Sequence, residues 1–75
     1  MKENLKYKEM EEYILNNIKY TYGVSDLLES FTLGMLQKGL DKDIFETPDN
    51  DKFKITIHSI KNEYTTNCFY DIEKL

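Results

Sequence analysis

The chain has 75 residues, enough for one domain, and carries ten Lys against fourteen acidic residues for a net charge of −4. It has no Arg, Trp or Ala, one His (His58) and one Cys (Cys68), too few nucleophiles, acid–base groups and metal ligands to converge on a catalytic pocket within a single chain. No enzyme, cofactor or internal disulfide is expected, and without Arg to bind phosphate or guanine in bidentate fashion, no direct nucleic-acid contact either.

The first predicted element is a helix over residues 4–22. Met10, Glu11, Ile14, Ile18 and Tyr22 recur at helical spacing and define its core-facing stripe, with Leu15 at the edge. Tyr13 and Tyr20, seven apart, share another side, where they either lean over the core with wet hydroxyls or contact a partner. Gly23 is placed to end this helix in a left-handed cap.

A second helix is predicted over 26–38, with Asp26 and Glu29 spaced like a capping box. Val24, Leu27, Leu28, Phe31 and Met35 follow an i, i+3, i+4 pattern, while Leu33, Leu36 and Leu40 add a second apolar strip. Such a helix is either central to the fold or half of a dimer seam built on Leu33 and Leu36. Gly34 would permit a close crossing, and Lys38-Gly39-Leu40 reads as a Schellman ending in which Leu40 folds back on Met35.

The last third is β. A strand over 43–47 leads through Pro48-Asp49-Asn50-Asp51, strong turn chemistry, into a strand over 52–59 where Phe53, Ile55 and Ile57 alternate with Lys52, Lys54, Thr56 and His58. In the first of these strands, the inward residue is either Ile44 or Phe45, depending on a bulge. A final strand over 64–72 sets Tyr64, Thr66, Cys68, Tyr70 and Ile72 on one face. A tight turn at Lys61-Asn62 pairs Phe53 with Tyr70, Ile55 with Cys68 and Ile57 with Thr66 inward, and Lys52 with Asp71 and Lys54 with Phe69 outward. The expected fold is α+β: two N-terminal helices packed on one face of a small antiparallel three-stranded sheet, in the order α-α-β-β-β, as a single domain over 1–75. A third helix and Arg are both missing, so the helices and hairpin do not make a winged helix. A core this small is marginal, which adds weight to a homodimer.

Charge is uneven. Residues 23–51 hold two Lys against seven acids, a net of −5, while the segments on either side are neutral or slightly basic. Asp41, Asp43, Glu46, Asp49 and Asp51 make an acidic cluster. It is not an EF-hand loop: counted from Asp41 the sixth and twelfth positions are Glu46 and Lys52, and counted from Asp49 they are Lys54 and Ile60, where Gly and Glu are needed. The cluster is either a solvated loop or an electronegative patch for a basic protein surface. Cys68, inward, reads as a small core hydrophobe; His58, outward on the opposite face, as a solvated residue; Phe69, also outward, is either covered by the chain end or a helix, or is a binding anchor.

No apolar run reaches the ~18 residues of a membrane span, the start Met1-Lys2-Glu3-Asn4 lacks a signal-peptide core, and a free Cys suits a reducing cytoplasm. Heavy use of Lys, Asn, Ile, Tyr and Phe is what AT-rich codons encode, consistent with a low-GC bacterium, a phage or another mobile element. The expected function is that of a small acidic non-enzymatic inhibitor, a nucleic-acid mimic that binds the basic surface of a nucleic-acid-handling protein. Asp41, Asp43, Glu46, Asp49, Asp51, Tyr13, Tyr20 and Phe69 are its candidate contacts. The alternative is an obligate homodimer whose acidic segment is only solubilising.

Overall fold

Alternation of apolar and polar residues places Phe53, Ile55 and Ile57 on one side of a single strand, and the fold is organised around them. The computed structural model describes residues 1–61 and 66–75. It forms a four-stranded antiparallel sheet in the order β1 (Lys2–Leu5), β4 (Thr66–Lys74), β3 (Lys52–Lys61), β2 (Lys42–Glu46). Helices α1 (Tyr7–Asn16) and α2 (Val24–Lys38) cover its inner face. Met10 and Ile14 of α1 and Val24, Leu28 and Met35 of α2 meet Phe45, Phe53, Ile55, Ile57, Tyr70 and Ile72 of the sheet in one core. Edge-to-face ring contacts join the layers, Tyr13 on Phe53 at 6.3 Å and Tyr7 on Tyr70 at 5.9 Å, and Phe31 of α2 tilts onto Phe45 at 5.2 Å.

The α+β class and the one-sided sheet match expectation, but the sheet has four strands, not three. The extra strand, β1, lies where the first helix was predicted to begin. Lys2–Leu5 shows no alternation to announce a strand; it forms because β4 offers an open edge, pairing Lys2 with Ile72 and Leu5 with Tyr70 across a bulge. Its Asn4 sits at a left-handed φ of 54°. The helix also ends early, at Asn16 instead of residue 22. The Asn17 side chain donates to the Tyr13 carbonyl at 2.7 Å and its backbone N–H to the Ile14 carbonyl at 3.0 Å, closing the last turn. Tyr22, predicted to face the core, is therefore off the helix and 82% exposed.

At the start of α1 the Glu9 carboxylate accepts the Lys6 backbone N–H at 3.0 Å; Lys6 has no acceptor with which to return the bond. The Asp26–Glu29 capping box does not form, because α2 begins earlier, from Gly23 at φ 73°. At the other end the Schellman bonds are present: Gly39 at φ 70° donates to the Leu36 carbonyl and Leu40 to that of Met35 at 2.9 Å. Leu27 is exposed, not buried, and the space beside Gly34 is open, so no close crossing occurs there.

In the hairpin the expected faces are right for Phe53, Ile55, Ile57, Cys68, Tyr70 and Ile72, but the register differs by four residues. Ile55 pairs with Ile72, Ile57 with Tyr70, Ser59 with Cys68 and Phe53 with Lys74; outward, Lys54 pairs with Glu73, Thr56 with Asp71 and His58 with Phe69. A shift by an even number keeps every side chain on its face, so apolar alternation cannot detect it. The observed register sets large apolar groups opposite each other where the expected one used Cys68 and Thr66. Lys61, expected in the turn, pairs as part of β3 with Thr66; the expected turn residue Asn62, and Tyr64 and Thr65, lie outside the described residues.

β2 and β3 pair without a bulge, with Phe45 inward and Ile44 outward. Their connection is closed by the Asn50 N–H on the Thr47 carbonyl at 2.9 Å, with Asn50 at φ 67°, and by the Asp51 N–H on the Thr47 hydroxyl at 3.1 Å.

Candidate protein-binding surface

The five carboxylates of the acidic segment do not gather into one patch. Asp41 and Glu46 lie at opposite ends of an extended strand, about 17 Å apart at ~3.3 Å per residue. Lysines from other strands interleave with them. Glu46 stands across from Lys52. Asp49 and Asp51 border an open depression of about 490 Å³ with Lys19 and Lys74. Lys74 lies 3.8 Å from Asp51 while its ammonium donates to the Asn17 carbonyl at 2.8 Å. Asp43 spends its carboxylate on the neighbouring Ile44 N–H, at 2.8 Å. An acidic run in one dimension is thus diluted by cations once the sheet forms.

The aromatic candidates separate as well. Tyr13 is half-buried against Phe53, and Tyr20, beyond the end of α1, pairs loosely with Tyr22 at 6.5 Å between ring centres. The shared Tyr13–Tyr20 face therefore does not exist. Phe69 is half-buried on the outer face, directly across from His58. No helix covers it, since both helices pack on the inner face, and Ile72–Lys74 continues β4.

His58 and Cys68 occupy opposite faces. Cys68 is half-buried at the margin of the core, 3.7 Å from the Ser59 hydroxyl. His58 Nε2 meets Asp71 Oδ2 at 2.6 Å, and Asp71 Oδ1 accepts the Asn4 backbone N–H at 2.9 Å. The hydrogen bond from His58, then that from Asn4, hold the Asp71 carboxyl below its ordinary value. Among the described residues, no group of three His, Cys, Asp or Glu side chains is placed to hold a metal ion, and no helix is long and apolar enough to cross a membrane.

What does converge is apolar. Leu33 and Leu36 of α2, with Leu40 just beyond it, are 51%, 49% and 41% exposed. Leu33 and Leu36, at i and i+3, lie on the outer side and flank of the helix, off the line of Leu28 and Met35. Leu40 follows beyond the left-handed Gly39, where the chain has left the helix. Asp26 and Glu29, also exposed, continue the Leu33–Leu36 line toward the N-terminus. Leu33 and Leu36 were legible as a second strip; the acids leading into it were hidden by their reading as a cap. No protein-family model, curated protein or solved structure matches this chain.

Proposed function

We propose that this chain is a non-enzymatic binding protein that acts by docking α2 on another protein. The observation that carries the reading is the exposure of Leu33 and Leu36 on α2, with Leu40 also exposed just past the end of the helix. Three exposed leucines in water cost solvation free energy that a partner recovers on burial, at about 25 cal/mol per Å². The line runs from Asp26 and Glu29 into the leucines, so the complementary surface is an apolar groove with Lys or Arg at one end. That keeps a basic partner surface, while moving the main contact from the acidic segment to the helix. A protein whose basic surface handles nucleic acid is the kind of target such an inhibitor suits.

The test compares proteins captured from lysate of the source cells by wild type, by Leu33→Ser/Leu36→Ser and by Asp26→Lys/Glu29→Lys. Both variants change only surface residues, expected to move stability by only about 0.5 kcal/mol per site. A captured protein lost with the leucine variant and weakened with the charge variant supports the reading; capture indifferent to both overturns it. A wild type that is dimeric in light scattering and becomes monomeric on Leu33→Glu would instead make the strip a seam between copies.

A further inference from the structure

The two edges of the sheet are built differently. β1 is four residues long, bulged, and has its Asn4 N–H committed to Asp71. β2 is regular over five residues and pairs with β3 on one side only. The Ile57 N–H donates to the Asp41 carbonyl at 2.7 Å and the Thr47 N–H to the Asp51 carbonyl at 2.9 Å, which fixes the phase of the ladder. Residues 41, 43, 45 and 47 turn their backbone groups toward β3, and Lys42, Ile44 and Glu46 turn theirs off the sheet.

Those three residues are self-complementary. Laid antiparallel on a second copy about a two-fold axis at Ile44, each strand sets Lys42 opposite Glu46 of the other copy, Ile44 opposite Ile44, and Glu46 opposite Lys42. All three side chains project from the outer face, where Ile44 is 51% exposed beside Lys42 and Lys54. The backbone groups then meet as bonded pairs, and both ion pairs and the apolar pair form together. A slip by two residues loses both ion pairs, and in one direction brings up Pro48, which has no N–H to give. One side chain opposes this pairing: the Asp43 carboxylate occupies the Ile44 N–H at the centre of the edge.

We propose that β2 is a self-pairing edge, which a second copy of the chain joins in two-fold antiparallel register about Ile44, and that Asp43 is the latch restraining it. The surface is distinct from the leucine strip of α2, and neither depends on the other.

Sedimentation velocity over about 10 µM to 1 mM tests this, since the dimer population follows concentration by mass action. Wild type is expected to associate only toward the upper end. Asp43→Ala, which frees the Ile44 N–H, should dimerise at least about tenfold more tightly, and Asp43→Asn, which keeps an acceptor oxygen, should stay near wild type. On the Asp43→Ala background, Glu46→Lys should weaken the dimer by setting Lys against Lys, and adding Lys42→Glu should restore it. The restoration cannot come from within one chain, because Lys52 still faces the new Lys. Leu33→Glu should leave this dimer unchanged. Amide exchange of the wild type gives an independent reading: protection at Lys42 and Glu46 should rise with concentration. An Asp43→Ala protein that stays monomeric, a dimer indifferent to the charge exchange, or protection independent of concentration overturns the proposal.

Discussion

Phe53 and Lys54 are consecutive residues of one strand, yet Phe53 is fully buried beneath two helices and Lys54 stands in water between Ile44 and Glu73. The same division runs across the whole sheet. The inner face is a nearly continuous apolar layer closed by α1 and α2; the outer face carries, among the described side chains, Lys–Glu neighbours, the His58–Asp71 pair, an exposed Ile44 and a half-buried Phe69. Most of the stability is therefore drawn from the inner face. Both exposed apolar features that suit binding, the leucine line and the β2 edge, lie outside the sealed layer.

The largest test of that division is Phe53→Ala against Lys54→Ala. The first empties the centre of the core and should cost about 3–5 kcal/mol, much of the ~4–11 kcal/mol expected for a domain of this length. The second should cost no more than about 0.5 kcal/mol. Urea unfolding of both variants is the measurement, and comparable losses would mean that the two faces are not divided as described.

The sealed layer was legible in the sequence because period-two and period-3.6 patterns report which face a residue occupies. Met10, Ile14, Phe53, Ile55, Ile57, Tyr70 and Ile72 were all found that way. Position along the strand was not legible: the hairpin pairing differs by four residues, an error to which alternation is blind. The β1 strand was illegible because only Leu5 among its four residues is apolar and its cause lies in β4, far away in sequence. The end of α1 did leave a signal, Asn16-Asn17, which the continuing apolar spacing through Ile18 overrode. Of the candidate contacts, Leu33 and Leu36 were visible as an extra strip. The acidic segment misled because lysines that arrive from β3 and β4 cannot be seen in a local window.

Asp71 sharpens the comparison as an outer-face carboxylate tied to two other strands, through His58 on β3 and the Asn4 N–H on β1. Asp71→Ala should cost about 1 kcal/mol, the exposed setting discounting a charge-assisted bond, and the Asn4 amide should exchange faster with solvent. Because its carboxyl is held below the ordinary value, the folded protein binds fewer protons there than the unfolded chain. Its contribution is thus present above about pH 3.9 and lost as pH falls through the lower folded value. Denaturation followed from pH 6 downward should show a shallower acid limb in the variant, and an unchanged limb would mean that the pair contributes nothing in solution.

Tyr7 is the exception on the inner side, and the smallest effect. Its hydroxyl is buried without a hydrogen-bond partner among the described residues, while Thr32 of α2 donates its own proton to the Glu29 carbonyl at 3.0 Å. Burial, then the nearby charges of Glu11 and Glu29, hold the Tyr7 pKa above its ordinary value against a smaller opposing pull from the Thr32 hydroxyl, which lies near but outside hydrogen-bond geometry. Burial likewise raises the Tyr70 pKa. An unpartnered hydroxyl contributes desolvation cost and no bond, so Tyr7→Phe should stabilise the fold by about 0.5–1 kcal/mol while keeping the ring on Tyr70. The raised pKa makes the folded state hold its phenolic protons longer than the unfolded chain does. Stability is thus complete below about pH 10 and falls as pH rises through the folded value, and Tyr7→Phe should remove part of that alkaline loss. Thermal melts at pH 7 and above pH 10 read both effects. A variant less stable than wild type by more than about 1 kcal/mol at pH 7 would show that the hydroxyl has a partner after all, and that the inner layer is not purely apolar at its margin.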